Sequence, residues 1–245
     1  MVHVCIDKVI PGKEPRKYLQ QTDAEEATRA TDAPVRLALV RDKLWDIGAT
    51  VRAKFLEGDP VVQSKVKSHA IKWMKYANIN FEFVDTGDAE VRIAFDKNDG
   101  SWSYLARDAL DISQNEPTMN YGWLTPKTED IVYSRVVLHE FGHSLGAIHE
   151  HQNPAAGIPW NKEAVYKYYM GPPNNWPKDQ IDHNLFRRYD KNITNFTEFD
   201  ARSIMLYPIP AEFTTTGVAI GGRNSVLSDL DKRFMTHQYP KTKSM

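Results

Sequence analysis

The chain has 245 residues, a formal net charge of −1, 41% hydrophobic and 26% charged residues, the balance of an ordinary globular protein rather than a disordered or fibrous one. That charge excludes a broad electrostatic affinity for nucleic acid or anionic membrane, and no apolar run approaches the length of a membrane span. The single cysteine, Cys5, excludes an internal disulfide and fits a reducing compartment, so we expect a cytoplasmic protein, although a secreted microbial enzyme is compatible with the same count.

Residues Met1–Ile10 are interrupted by His3, Asp7 and Lys8 and do not read as a secretory signal. Residues 1–36 are polar and broken by Pro11, Pro15 and Pro34, which leaves room for a short helix over Asp23–Ala30. We read them as an N-terminal extension ahead of one domain spanning 37–245. Thr50–Phe55 alternates apolar and polar residues, the mark of a half-buried strand. Asp59-Pro60 opens a helix, with aspartate as N-cap and proline at the first helical position, and Val62, Val66, Ala70 and Trp73 give it one apolar face.

Ile79, Phe81 and Phe83 alternate in a next strand, and Val91, Ile93 and Phe95 in another. Asp96–Gly100 is a turn; its acidic spacing resembles a calcium loop, but its glycine falls at the fifth rather than the sixth position. Trp102–Leu105 and Asn120–Leu124 are shorter strand candidates. Thr128 is positioned to cap a helix that carries Glu129 and Asp130 in its first turn. Beyond Gly146 the chain is rich in proline and aromatic residues, so that part should be mostly loop, with helices over Asn161–Met170 and from Ser228. The fold class is therefore α+β: a twisted mixed sheet with two long helices above a cleft, to about residue 146, and an irregular C-terminal part, 147–245. Asn192-Ile193-Thr194 and Asn195-Phe196-Thr197 are glycosylation sequons, which we read as solvated loop.

The chemistry is concentrated in His139-Glu140-Phe141-Gly142-His143 and the residues that follow. Histidines four apart on a helix share a face, so both imidazoles reach one metal ion. Glu140 then sits beside the metal without ligating it, the arrangement in which zinc holds a water and a carboxylate takes its proton. Gly146 tolerates the left-handed backbone that ends many helices. The chain can turn there and return His149 as a third ligand, leaving a fourth position open, as catalytic rather than structural zinc sites do. Each histidine alone reads better as an ordinary partly buried residue; the register of all three with Glu140 and Gly146 makes that reading poor. Gly142 is unusual inside a helix, where it costs about 1 kcal/mol against alanine, and is explained if something packs closely against it.

The run His139–His149 resembles the metzincin pattern H-E-x-x-H-x-x-G-x-x-H, and Ser203-Ile204-Met205-Leu206-Tyr207 resembles the Met-turn of its astacin branch. Glu150, Leu44-Trp45, Gly100–Tyr104 and Leu227-Ser228 with Asp231 look astacin-like too, so the resemblance covers roughly residues 37–240. It implies a metzincin-type catalytic domain and a zinc-dependent endopeptidase acting on peptide or protein substrates as a monomer. It implies further that Met205 packs beneath the metal, that Tyr207 reaches the zinc and swings away to hydrogen-bond the oxyanion, and that Glu150 meets a newly generated chain start. Astacin-like enzymes often favour an acidic residue after the cut, and no single basic residue in the sequence can be assigned to that task.

His151 departs from the glutamine usual in astacins and reads as a surface residue or one behind a ligand. His183 and His237 read as structural. Cys5 is either an idle thiol or a fourth zinc ligand that blocks the site, which would make residues 1–36 an inhibitory segment. Astacins more often use an aspartate for that purpose, for which Asp23 and Asp32 are candidates. Two other functions share the motif: a zinc-containing binding protein on a protease fold, against which the intact Glu140 argues, and a hydrolase of a non-peptide amide.

Overall fold

The computed structural model describes Cys5, Lys8 and residues 39–172, 174–189, 194–196 and 198–241. The expected helix over Asp23–Ala30, the aspartates Asp23 and Asp32, and Asn192 and Thr197 of the two sequons lie outside the described residues. The strands are β1 (Leu39–Val40), β2 (Thr50–Phe55), β3 (Asn80–Phe83), β4 (Val91–Ala94), β5 (Ser101–Ser103), β6 (Met119–Tyr121) and β7 (Thr194–Asn195). The α-helices are α1 (Pro60–Ala70), α2 (Asp130–Ser144), α3 (Lys162–Met170), α4 (Lys178–Ile181) and α5 (Asp229–Gln238).

Five strands form one mixed sheet in the order β3-β2-β4-β6-β5, and β1 pairs with β7 separately. β2 is parallel to β3 and β4, and β4 to β6, while β5 runs antiparallel to β6 along one edge. The sequence explains this layout. All four residues of the central β4 are buried, as expected for a parallel strand covered on both faces. β2 needs a crossover to reach β3 in parallel, and α1 lies in that connection. Asp59 caps α1 by accepting from the Val61 amide at 2.8 Å, with Pro60 in the first turn; such a cap contributes about 1 kcal/mol. The predicted stripe Val62, Val66, Ala70 and Trp73 is buried throughout. It packs with the sheet, α2 and α5 in one core that includes Phe141, Met205, Phe234 and Tyr239.

Helix α2 begins differently from the expectation. Its N-cap is Glu129, without a side-chain capping bond, and only Asp130 lies in its first turn. Thr128 does not cap it. The Thr128 hydroxyl accepts from the Thr125 amide at 2.9 Å, because a local turn competes successfully for a hydroxyl so close in sequence. Asp130 instead receives His69 Nε2 at 3.0 Å, tying α1 to α2. Trp102 is in β5, but Leu105 lies past its end. The helices at 161–170 and 228 form as expected. Asn161 caps α3, and Ser228 caps α5 in a capping box with Asp231. A second cluster, with Trp102, Tyr169, Phe186, Tyr207 and Phe213, fills the C-terminal part. Among the described residues no helix is long and apolar enough to cross a membrane.

Candidate metal centre

The centre is built where α2 ends. The last carbonyls of a helix have no partner within it and must find one elsewhere when buried. Here each has one. Gly146 stands at φ +94°, so the Gly146 amide donates to His143 O at 2.7 Å and the Ala147 amide to Gly142 O at 3.0 Å, the paired bonds of a Schellman motif. Trp45 Nε1 donates to Ser144 O at 2.7 Å, and the Tyr239 hydroxyl to Leu145 O at 2.9 Å. This fixed turn brings His149 back beside the two histidines of α2.

His139, His143 and His149 are all buried. His139 Nδ1 lies 2.8 Å from Ile204 O and His143 Nδ1 2.7 Å from Ala147 O. A carbonyl only accepts, so in both rings Nδ1 carries the proton and the Nε2 lone pair is turned to the centre. His143 Nε2 is 3.2 Å from His139 Nε2 and 3.2 Å from His149 Nε2. Tetrahedral zinc with nitrogens at its usual bond length needs them about 3.3 Å apart, so this donor set fits that ion. Backbone carbonyls that orient metal-binding imidazoles are a regular part of such sites.

The fourth corner of the group is Cys5. Its Sγ is 3.6 Å from His143 Nε2 and 3.1 Å from Glu140 Oε2. A thiolate and an imidazole on one tetrahedral zinc stand about 3.6 Å apart. The backbone of Cys5 bridges Ser101 of β5 in parallel, and the Cys5 carbonyl accepts the Tyr207 hydroxyl at 2.5 Å. Tyr207 also lies 2.5 Å from His149 Nε2.

Beneath the histidines, Met205 is wholly buried and meets Gly142. Its loop is pinned from two sides: the Glu150 amide donates to Met205 O at 2.9 Å, and Asp231 accepts the Ser203 hydroxyl at 2.8 Å and the Ile204 amide at 2.9 Å. Burial pushes the Asp231 carboxyl up to about 6. Glu150 is buried as well. Its Oε1 accepts from Asn153 Nδ2 and the Asp200 amide, each at 3.0 Å, whereas its Oε2 has no partner among the described residues. Burial raises it to about 8. His151 is not at the surface. It is buried, stacks on His149 with centroids 5.2 Å apart and on Tyr207 at 5.0 Å, and its Nε2 donates to Asn184 O at 2.8 Å. His183 lies apart from the centre, with Nδ1 3.2 Å from Arg187.

Two residues that sequence reasoning did not single out line the cleft. A cavity of about 250 Å³ opens beside His139, Glu140 and Tyr207, and Arg135 and Arg223 stand in its wall. Burial and the charge of Arg223 both lower the pKa of Arg135. Neither arginine is held in an ion pair among the described residues. Arg135 had a usable signal: it lies four residues before His139, and so on the same helical face. Arg223 had none.

No protein-family model matches the chain, and no curated protein matches it in sequence. Solved structures do. The structure of myroilysin superposes with a TM-score of 0.82 at 47% identity, covering 84% of this chain and 99% of that one. A crystal structure of myroilysin gives 0.68 at 39% identity over 98% of this chain and 92% of its own. High choriolytic enzyme 1, a hatching enzyme zinc-protease from Oryzias latipes (Medaka fish), shares the fold with a TM-score of 0.54 and 20% identity over 81% of this chain and 95% of its own. Identity of this order across nearly the whole of a relative makes the chain a member of the astacin-like metzincins, a family of zinc metalloproteases.

Proposed function

We propose that the chain is a zinc-dependent endopeptidase kept latent by its own N-terminal segment. The observation that carries this reading is the set of contacts around Cys5: its thiol beside Glu140 and the three histidines, its carbonyl under the Tyr207 hydroxyl. A peptide unit therefore already lies against the groups that would act on a substrate.

His139, His143 and His149 would hold the ion, and the Tyr207 phenol, 2.5 Å from His149 Nε2, would be within reach as a further ligand once Cys5 is withdrawn. Zinc bound there would supply a Lewis acid and would lower the pKa of a bound water to about 7. Glu140 is the general base: it takes the proton of the attacking water and passes it to the leaving amine. Tyr207 donates to the oxyanion, as it now donates to the Cys5 carbonyl. A donor fixed in advance at developing charge contributes a large part of the rate in such sites. Met205 supports the histidines from below with a soft, adaptable side chain.

The extended substrate pairs with the edge strand β5, where Cys5 now bridges Ser101, a common mode of peptide recognition. Arg135 and Arg223 receive an acidic side chain next to the scissile bond, since a guanidinium matches a carboxylate in charge and geometry. Glu150, with an oxygen that lacks a partner, accepts the new amino terminus after residues 1–36 are removed.

Zinc-loaded full-length protein and its Cys5→Ala variant, each with and without Glu140→Ala, are incubated with a diverse peptide mixture and the fragments read by mass spectrometry. Internal cuts that require Glu140 establish the endopeptidase. An absence of cuts from protein shown to hold zinc, with Cys5 replaced, leaves the binding protein as the better reading; cleavage of small amides alone leaves the amide hydrolase.

A further inference from the structure

A second contact of the N-terminal segment lies three residues beyond Cys5. Lys8 Nζ is 3.2 Å from Asp99 Oδ1 and 3.3 Å from Oδ2, and stands 4.6 Å from the centroid of the Trp102 ring. The receiving groups are organised without it. Trp102 Nε1 donates to Asp99 Oδ2 at 2.8 Å, and the Trp102 ring is packed in the C-terminal cluster. The turn expected at 96–100 holds Asp99, whose amide meets Asp96 O at 3.4 Å. Withdrawal of Lys8 thus uncovers a carboxylate beside an indole face, both already oriented. A carboxylate with an aromatic face selects a cation: the first offers charge-assisted hydrogen bonds, the second the negative face of its quadrupole.

The place of this notch matters as much as its chemistry. Trp102 lies on β5, the edge strand of the sheet, next to Ser101, which bridges Cys5. Cys5 in turn touches Glu140. Three residues of extended chain span about 10 Å, so a peptide on this edge with its scissile bond at Glu140 has a side chain within reach of Asp99. Resting on the endopeptidase reading above, we propose that Asp99 and Trp102 form a subsite for a lysine or arginine side chain of the substrate, and that Lys8 occupies this subsite in the latent chain. The cleft is then bipolar, with an acidic notch on the β5 rim and the pair Arg135 and Arg223 in the cavity beside the zinc ligands.

The test uses the full chain carrying Cys5→Ala and Lys8→Ala, loaded with zinc. Its substrates are peptides identical except that lysine or norleucine stands at each of three positions on either side of the cut. At one position lysine should raise kcat/KM on the order of ten-fold over norleucine, the difference expected for about 1.4 kcal/mol. Asp99→Asn, which keeps the shape and removes the charge, should bring that ratio close to one, and Asp99→Glu should retain part of it. The same peptides are bound to chains that also carry Glu140→Ala, with fluorescence anisotropy as the readout; the lysine peptide should bind more tightly, and Asp99→Asn should abolish the difference. Cleavage with no lysine advantage at any position, or an advantage that survives Asp99→Asn, overturns the subsite and leaves the endopeptidase standing. If nothing is cut, the endopeptidase reading fails, and equal binding of the two peptides overturns the subsite as well.

Discussion

Met205 fills the space that a side chain on Gly142 would need: a Cβ built on Gly142 falls 2.5 Å from the Met205 sulfur and 3.4 Å from the Trp73 ring. This contact explains a helix-interior glycine one residue before His143 of the candidate metal centre. Alanine there should gain about 1 kcal/mol of helix propensity and lose about 1–3 kcal/mol to overpacking in a closed core. Met205 and Trp73 are both wholly buried, so neither moves aside freely. We expect Gly142→Ala to lower the Tm by a few degrees and to weaken zinc binding by displacing Met205. Thermal unfolding of the zinc-free and zinc-loaded forms measures both effects; a Tm at or above that of the unchanged chain refutes the packing argument.

How much of this was legible beforehand depended on distance along the chain. The His139–His149 register, the Gly146 turn, the Asp59 and Ser228 caps and the apolar stripe of α1 depend on residues within about two turns of one another, where spacing fixes geometry. The Thr128 cap failed at equally short range because two local hydrogen-bond patterns competed for one hydroxyl. Of the two readings of His151, a surface residue or one behind a ligand, the second holds: the turn at Glu150–Gln152 is buried on all its residues and the His151 ring stacks on His149, a choice that position next to a ligand does not make by itself. The meeting of Cys5 with Glu140, of Arg135 with Arg223, and of Asp231 with Ile204 depends on the folded topology. No local pattern encodes those contacts.

The proposed latency rests on the thiol. Cys5→Ala in the full, zinc-loaded chain should raise peptide hydrolysis at least ten-fold, since a thiolate binds zinc well and competes with water for the fourth place. The Tyr207 bond to the Cys5 carbonyl, the bridge to Ser101 and the Lys8 contacts all survive that change, so release should be partial and should increase with Lys8→Ala. Alkylation of Cys5 gives an independent readout: slow in the zinc-loaded protein and fast after chelation. Unchanged hydrolysis in Cys5→Ala, with alkylation indifferent to chelator, would make the cysteine idle.

Asp231 makes stability depend on pH. Its ordinary value is 3.8, and burial raises it to about 6 in the folded protein. The folded state therefore holds this proton more tightly than the unfolded chain, and the contribution of this group to stability declines as pH rises from about 4 to about 6 and is level above that. Asn at this position presents an oxygen to the Ile204 and Ser228 amides that Asp231 Oδ2 now accepts and does not titrate. The difference in unfolding free energy between the native chain and Asp231→Asn should thus change by up to about 3 kcal/mol across that interval. Denaturant unfolding of zinc-free protein at pH 4 and pH 6.5 measures it. A difference constant with pH sinks the assignment.

The arginine pair makes the sharpest forecast about substrates. Arg135 and Arg223 share a cavity wall beside Glu140, and burial together with the nearby charge of Arg223 disfavours the charge on Arg135. An acidic side chain entering the cavity relieves that repulsion, so its carboxylate gains from both. In the Cys5→Ala background, peptides with glutamate after the cut should be cleaved on the order of ten-fold or more faster than those with glutamine, as charge-assisted pairs allow. Arg135→Gln and Arg223→Gln should each reduce that ratio. The effect belongs in the ratio because the neutral peptide serves as the internal control for damage to the fold or the zinc site. Replacement of both arginines by glutamate should reverse the preference toward lysine. A glutamate-to-glutamine ratio near one in the native cavity, or one that persists without either arginine, would assign the cavity to shape selection alone.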